Sequence, residues 1–164
     1  MATTAAAIRD RISALITALT PTSLSSDAFR ETRNEYGADF RRWAMANKEG
    51  ALRRFQVRNK GDDETGTVTN TTEAFQRVTY EVAVAYPQTH RYGDQAALDR
   101  DDVIEQDSLK IQQAIGQVGY GNFTGANPNA FWDKEGPQDV KTERLDGVDF
   151  LAITISYRYW RAYP

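Results

Sequence analysis

The last seventeen residues, Val148-Asp-Phe-Leu-Ala-Ile-Thr-Ile-Ser-Tyr-Arg-Tyr-Trp-Arg-Ala-Tyr-Pro164, constrain the fold more than any other stretch. Ile153, Ile155, Tyr157 and Tyr159 alternate with Thr154, Ser156, Arg158 and Trp160. Successive side chains of a strand point to opposite faces, so this alternation predicts one long strand with an apolar side and a polar side. Chain ends fray unless tied into structure, and a segment so rich in β-branched and aromatic residues is expected to be tied into a sheet.

A strand of that length needs partners, and two upstream segments offer them. In residues 51–59, Phe55 and Val57 point one way while Arg54, Gln56 and Arg58 point the other, a half-exposed strand with a basic face. In residues 73–86, Val78, Tyr80, Val82, Val84 and Tyr86 share a face opposite Arg77, Thr79 and Glu81. Pro87 ends that run, because proline cannot donate to a sheet ladder. The charged stretch Lys60-Gly-Asp-Asp-Glu-Thr-Gly66 between them reads as a mobile loop. A further short strand is expected near 140–146.

Helical periodicity fills the gaps. Ile8, Ile12, Leu15, Ile16 and Leu19 recur on one helical face of residues 4–19, and Pro21 stops the helix. Residues 39–47 suggest a short helix with Asp39 as cap, Phe40, Trp43 and Ala44 on one side, and Gly50 as its end. Residues 99–115 carry a buried stripe of Ile104, Ser108, Ile111 and Ile115 with Val103 beside it. Asp99 is the expected N-cap there, and Asp101, Asp102 and Glu105 sit where the helix dipole favours negative charge. Residues 119–139, with four glycines and two prolines, read as a long irregular segment from which Phe123, Phe131 and Trp132 stand out. The expected fold is a single α+β domain over residues 1–164: a mostly antiparallel β-sheet with two α-helices packed on one face, the face bearing Val78, Tyr80, Val82, Ile153 and Ile155.

Reactive chemistry is hard to place on this chain. It has no cysteine, hence no disulfide, thiolate metal site or cysteine nucleophile. His90 is its one histidine and has no nucleophile motif near it. The acidic run Asp99, Asp101, Asp102, Glu105 and Asp107 lacks the glycine a calcium loop needs, so helix capping accounts for it better. No phosphate-binding glycine motif occurs. The expectation is therefore a protein that is not an enzyme, with no catalytic residue, metal or cofactor. No stretch is long and apolar enough to span a membrane, and Arg9, Asp10 and Arg11 interrupt any signal-peptide core.

Charge is unevenly divided. Residues 1–60 carry 11 basic and 6 acidic side chains, whereas residues 61–164 carry 9 basic and 17 acidic. Complementary patches of that kind set partner choice and register, and a head-to-tail contact between unlike patches closes into a ring when the rotation allows. Arg54 and Arg58 on the basic strand, with Phe131 and Trp132 in the long segment, are the candidate subunit-interface residues.

Several segments in order resemble the tail terminator proteins of long-tailed (siphovirus-like) bacteriophages: Ala5-Ala-Ala-Ile-Arg-Asp-Arg-Ile12, Phe40-Arg-Arg-Trp43, Leu52-Arg-Arg-Phe-Gln-Val-Arg58, Tyr80-Glu-Val-Ala-Val-Ala-Tyr-Pro-Gln-Thr-His-Arg-Tyr92, Leu98-Asp-Arg-Asp-Asp-Val-Ile104 and Gly147-Val-Asp-Phe-Leu-Ala-Ile-Thr154, followed by the closing Tyr-Arg-Tyr-Trp strand. The resemblance implies a small α+β protein that forms a homo-oligomeric ring, a hexamer, at the head-proximal end of the tail tube. Such a ring stops polymerisation of the tail tube protein and joins the tail to the head-side connector, while genomic DNA passes through the lumen without sequence-specific binding. It implies a place in the virion, reached by assembly in the host cytoplasm. The alternatives are another neck, head–tail joining or head-completion protein, and a small binding module using the Arg54/Arg58 face.

Overall fold

The computed structural model describes residues 3–21, 27–33, 39–67, 73–117 and 130–162. Its spine is a pair of fifteen-residue antiparallel strands, β3 (Glu73–Pro87) and β6 (Val148–Ala162), in register from Glu73↔Ala162 to Pro87↔Val148 without a break. At about 3.3 Å per residue the ribbon is about 50 Å long. β2 (Arg54–Thr67) flanks β3 antiparallel and carries the two-residue β1 (Arg30–Glu31) on its outer edge, the one parallel pairing. On the other edge β4 (Ala130–Trp132) and β5 (Asp139–Leu145) pair in succession with β6, giving a mixed, mostly antiparallel six-stranded sheet. The α+β architecture is as expected.

One correction concerns β2. The strand continues through the charged stretch expected to be a loop, pairing as far as Thr67↔Ala74. It absorbs the glycines through irregularities at Asn59/Gly61 and Glu64/Gly66. A hydrophilic composition lowers strand propensity, but backbone pairing with a long, well-registered β3 overrides it, and extra residues leave as bulges.

The inner face of the sheet holds the main core. Phe55, Val57, Val78, Tyr80, Val82, Val84, Ile153, Ile155, Tyr157 and Tyr159 lie there against Ile8, Ile12 and Ile16 of α1 (Ala5–Thr17), and against Val103, Ile104 and Ile111 of α3 (Ala96–Gln112). Thr4 caps α1, its hydroxyl accepting from the Ala7 N–H at 3.1 Å. α3 begins three residues earlier than expected, and Asp99 is not its cap. Its carboxylate instead reaches back one turn to accept from the Gln95 N–H at 2.6 Å. Past Gln112 the helix relaxes into a π-helical turn, Gln113–Gln117.

The two helices expected on one face are α1 and α3, and the short helix expected over residues 39–47 forms as well, on the other side of the sheet. α2 (Phe40–Ala46), capped by Asp39, packs on the opposite, outer face, where Phe40 and Ala44 meet Ala83, Ala85, Val148 and Phe150 in a separate small core. Small residues at 83 and 85 let a helix approach the sheet closely, so both faces are covered at this end. No helix among the described residues is long and apolar enough to cross a membrane.

Candidate functional site

Alternation along β2 sends Arg54, Gln56 and Arg58 to the outer face, while Phe55 and Val57 enter the core. The structure treats the two candidate arginines differently. Arg54 is half-buried and committed within the chain: its guanidinium donates to Thr32 Oγ1 at 2.8 Å and to the Glu31 carbonyl, and lies 5.5 Å from the Trp43 ring centre. Arg58 is more than half exposed and approaches Glu81 at 3.5 Å.

Glu81 is the hub of this face. It is 6% exposed and faces Arg41 at 3.2 Å, Arg58 at 3.5 Å and Lys60 at 3.6 Å. Arg41 also forks onto Glu143 of β5 at 2.7 and 3.1 Å, tying α2 to the far edge of the sheet. The hydrogen bond from Arg41 holds the Glu143 carboxyl below the usual carboxylate range despite partial burial.

Further along the same face, the turn after β4 folds back over the ribbon. The Asp133 N–H donates to the Ser156 carbonyl at 2.9 Å, and its carboxylate receives Arg77 at 2.6 Å and Arg158 at 3.0 Å. Burial pushes the Asp133 pKa up, but the two guanidinium hydrogen bonds outweigh it and hold the group below its ordinary value. A Cβ at Gly136 would fall 2.5 Å from Ser156, so the turn lies on the strand with no room for a side chain. Ser156, on the polar side of the strand, is fully buried for this reason.

Phe131 and Trp132 do not stand out from an irregular loop. They form β4 opposite Arg158 and Tyr157 and are half-buried. The Trp132 indole donates to Gln138 Oε1 at 2.9 Å, with Lys134 5.2 Å from the centre of its ring. The four candidates therefore do not converge: Arg54 and Arg58 lie at one edge of the sheet, Phe131 and Trp132 at the other. Phe123 lies outside the described residues.

His90 sits in the turn after β3, its ring edge-on to Tyr92 at 4.8 Å. The acidic run of α3 is dispersed by the helix: Asp99 binds the Gln95 N–H, Asp101 pairs with Arg144 at 2.8 Å, and Asp107 turns inward. Among the described residues no cluster of three or more His, Asp or Glu is gathered to hold a metal ion.

Two buried ion pairs went unread in the sequence. Arg53 and Asp107 are both fully buried and form a two-point fork, Nε to Oδ2 at 2.7 Å and Nη2 to Oδ1 at 3.1 Å. Tyr86 donates its hydroxyl to the same carboxylate at 2.8 Å, and burial together with the Asp107 charge pushes its pKa well above the usual phenol range. Arg53 adopts φ 53°, a left-handed conformation uncommon outside glycine, immediately before β2 begins. A few residues away, Arg100 donates to fully buried Asp149 at 2.7 Å, which also receives Gln88 at 2.9 Å and Arg144 at 3.0 Å. These pairs brace α3 against the starts of β2 and β6. The only sequence signal was indirect: Asp107 lies on the buried side of the helical stripe.

The surface features gather at the two edges of the sheet. Among the described residues, the exposed large apolar side chains, Leu98, Leu109, Val140 and Leu145, belong to α3 or β5. Between these elements runs a groove made of two adjoining hollows of about 330 and 340 Å³, which share Leu109, Gln112 and Val140. At the opposite edge, β1 covers β2 only at Arg54 and Phe55, and no other described strand pairs there. No family model and no curated protein sequence matches this chain.

Proposed function

We propose that the chain is a virion assembly protein of the tail-terminator kind, a ring-forming subunit at the head-proximal end of a phage tail tube. The ring ends tube polymerisation and presents a surface to the head-side connector, with DNA passing through its hole. One observation supports this reading most. The segments that resemble tail terminators fall in chain order mostly within α1, α2, β2, β3, α3 and β6 of one sheet-and-helix unit, with residues 88–92 in the turn after β3. Charge is mixed at both sheet edges: Arg30, Arg33, Arg58 and Lys60 are exposed with Asp10 at the β2 edge, and Asp102, Glu105 and Asp139 with Lys141 and Arg144 at the α3–β5 edge. The charged network around Glu81 and Asp133 serves in this reading to hold a stiff, polar sheet surface.

The test is deletion of the protein from a phage that encodes it, followed by electron microscopy of the lysate. Tails of uncontrolled length that fail to join heads are expected. Tails of normal length that still fail to join would replace this reading with a neck or head-completion role. Intact, infectious particles would reject both.

A further inference from the structure

We propose that the α3–β5 edge receives an extended segment of a partner protein, which adds as a further strand beside β5 and carries basic and apolar side chains beneath α3. This surface has no role assigned to it in the tail-terminator reading, and the inference stands apart from that reading.

Three observations converge. The first is an open edge. β5 pairs with β6 along one side, and among the described residues no strand meets its other side. The one side-chain contact to its backbone is Gln88 Nε2 on the Leu145 carbonyl at 3.3 Å, at its far end. Six of its seven residues are exposed, all but Glu143. A row of unpaired backbone groups about 23 Å long is a template for one more strand. Direction alternates along β3, β6 and β5, so an antiparallel newcomer continues the order.

The second is a shaped wall. Val140 and Thr142 pair with Ile153 and Leu151 of the inner core, so alternate side chains of a strand laid against β5 turn toward α3. There they enter the groove of two hollows, about 330 and 340 Å³, floored by Ile153, Ile155 and Leu151. Leu109, 56% exposed, forms its wall, and Val140, 44% exposed, its lip. Main-chain pairing supplies affinity in strand addition, and a groove for alternate side chains supplies selection.

The third is charge, which selects the occupant. Asp102 and Glu105 lie one turn apart on the exposed stripe of α3 between Leu98 and Leu109, and among the described residues they pair with no cation. Arg144, the cation on the inner side of β5, is held by Asp101 at 2.8 Å and Asp149 at 3.0 Å. Lys141 alternates onto the outer face, 3.6 Å from Glu143, and Lys134 stands over the Trp132 ring. A lysine or arginine of the incoming strand lays its stem along the groove and reaches these carboxylates with its head. A second copy brought edge to edge would instead set the same carboxylates against one another. The Asp101–Arg144 pair puts the start of α3 over the end of β5, whereas Leu109 shares a hollow with Val140 near the start of β5. An antiparallel segment therefore presents its basic residues first and its apolar residues after them.

The test titrates the whole chain, by calorimetry at low salt, with the end-blocked peptide Lys-Thr-Lys-Thr-Val-Thr-Val, which matches β5 in length. Saturable binding is expected, at least roughly tenfold tighter than that of the same peptide with glutamate for lysine. Asp102→Lys with Glu105→Lys should reverse that preference. Leu109→Ser, at an exposed site, should weaken binding of the lysine peptide, with native folds of all variants checked by circular dichroism. Of the two peptides N-methylated at alternate residues, one should lose binding, since only one set of N–H groups faces β5. No binding of the lysine peptide, equal binding of the glutamate peptide, binding unchanged in the variants, or binding that survives both N-methylations overturns the proposal. A parent chain that self-associates through this edge and loses that association in Leu109→Ser also overturns it, and gives the edge to a second copy. The deletion phenotype tests the tail-terminator reading independently of every one of these results.

Discussion

Asp107 and Glu81 are both carboxylates withdrawn from water and faced by cations, yet they sit in opposite situations. Asp107 lies between α3 and the sheet with a single, fully buried guanidinium forked onto it and a tyrosine hydroxyl completing its shell. Glu81 lies on the outer face, and its cations, Arg41, Arg58 and Lys60, are 18%, 55% and 42% exposed. The first arrangement has no alternative partner, because water cannot reach it. In the second, water replaces any member that leaves. Burial of the partners, more than burial of the carboxylate, decides whether a charge braces the fold or tunes the surface.

The largest effect that would test this contrast is at Asp107. Asp107→Ala removes the carboxylate onto which the buried Arg53 guanidinium forks and should cost about 3–5 kcal/mol in urea unfolding. Replacing Arg53 and Asp107 together with Met and Leu should cost clearly less than Asp107→Ala alone. Equal costs would mean that the pair, rather than the orphaned charge, carries the energy. Glu81→Ala should cost only about 1–2 kcal/mol by the same measurement, and a value matching Asp107→Ala would break the comparison.

Tyr86→Phe removes one hydrogen bond to Asp107 while keeping the ring, and about 1 kcal/mol is expected from thermal melts. Asp133 sharpens the comparison through pH. Its pKa is lower in the folded chain, so the folded state releases its proton more readily than the unfolded chain does. The resulting stability is present above about pH 4 and is lost as the pH falls through the native value. Asp133→Asn should therefore be less stable at neutral pH and lose stability less steeply below about pH 4, as followed by urea titrations at stepped pH. Arg58→Ala should be the mildest, within about 0.5 kcal/mol of the parent in a circular dichroism melt, because its ion pair is open to solvent.

The elements written in local periodicity were legible. The inward faces of β3 and β6, the Ile8/Ile12/Ile16 stripe and the Val103/Ile104/Ile111 stripe all occupy the core. Each is set by a repeat of two or 3.6 residues matched to one buried side. The charged half of β2 was not legible, since nothing in Lys60–Gly66 alternates, and only the length of β3 beside it keeps it extended. Among the candidate interface residues, exposure followed long-range neighbours rather than residue type. Arg54 is drawn onto Thr32 and Trp43, whereas Arg58, four residues on, remains at the surface.

What the sequence by itself determined is the set of segments that extend or coil and the side of each that shuns water, because those choices depend on neighbours a few residues away. Tertiary structure alone decided that α2 crosses to the outer face, that Arg53 meets Asp107 across 54 positions of chain, and that Ser156 lies under the Asp133 turn. It also gathered Leu98, Leu109, Val140 and Leu145 at one edge of the sheet. Contacts of that range depend on strand order and register, and no local pattern of polar and apolar residues encodes either.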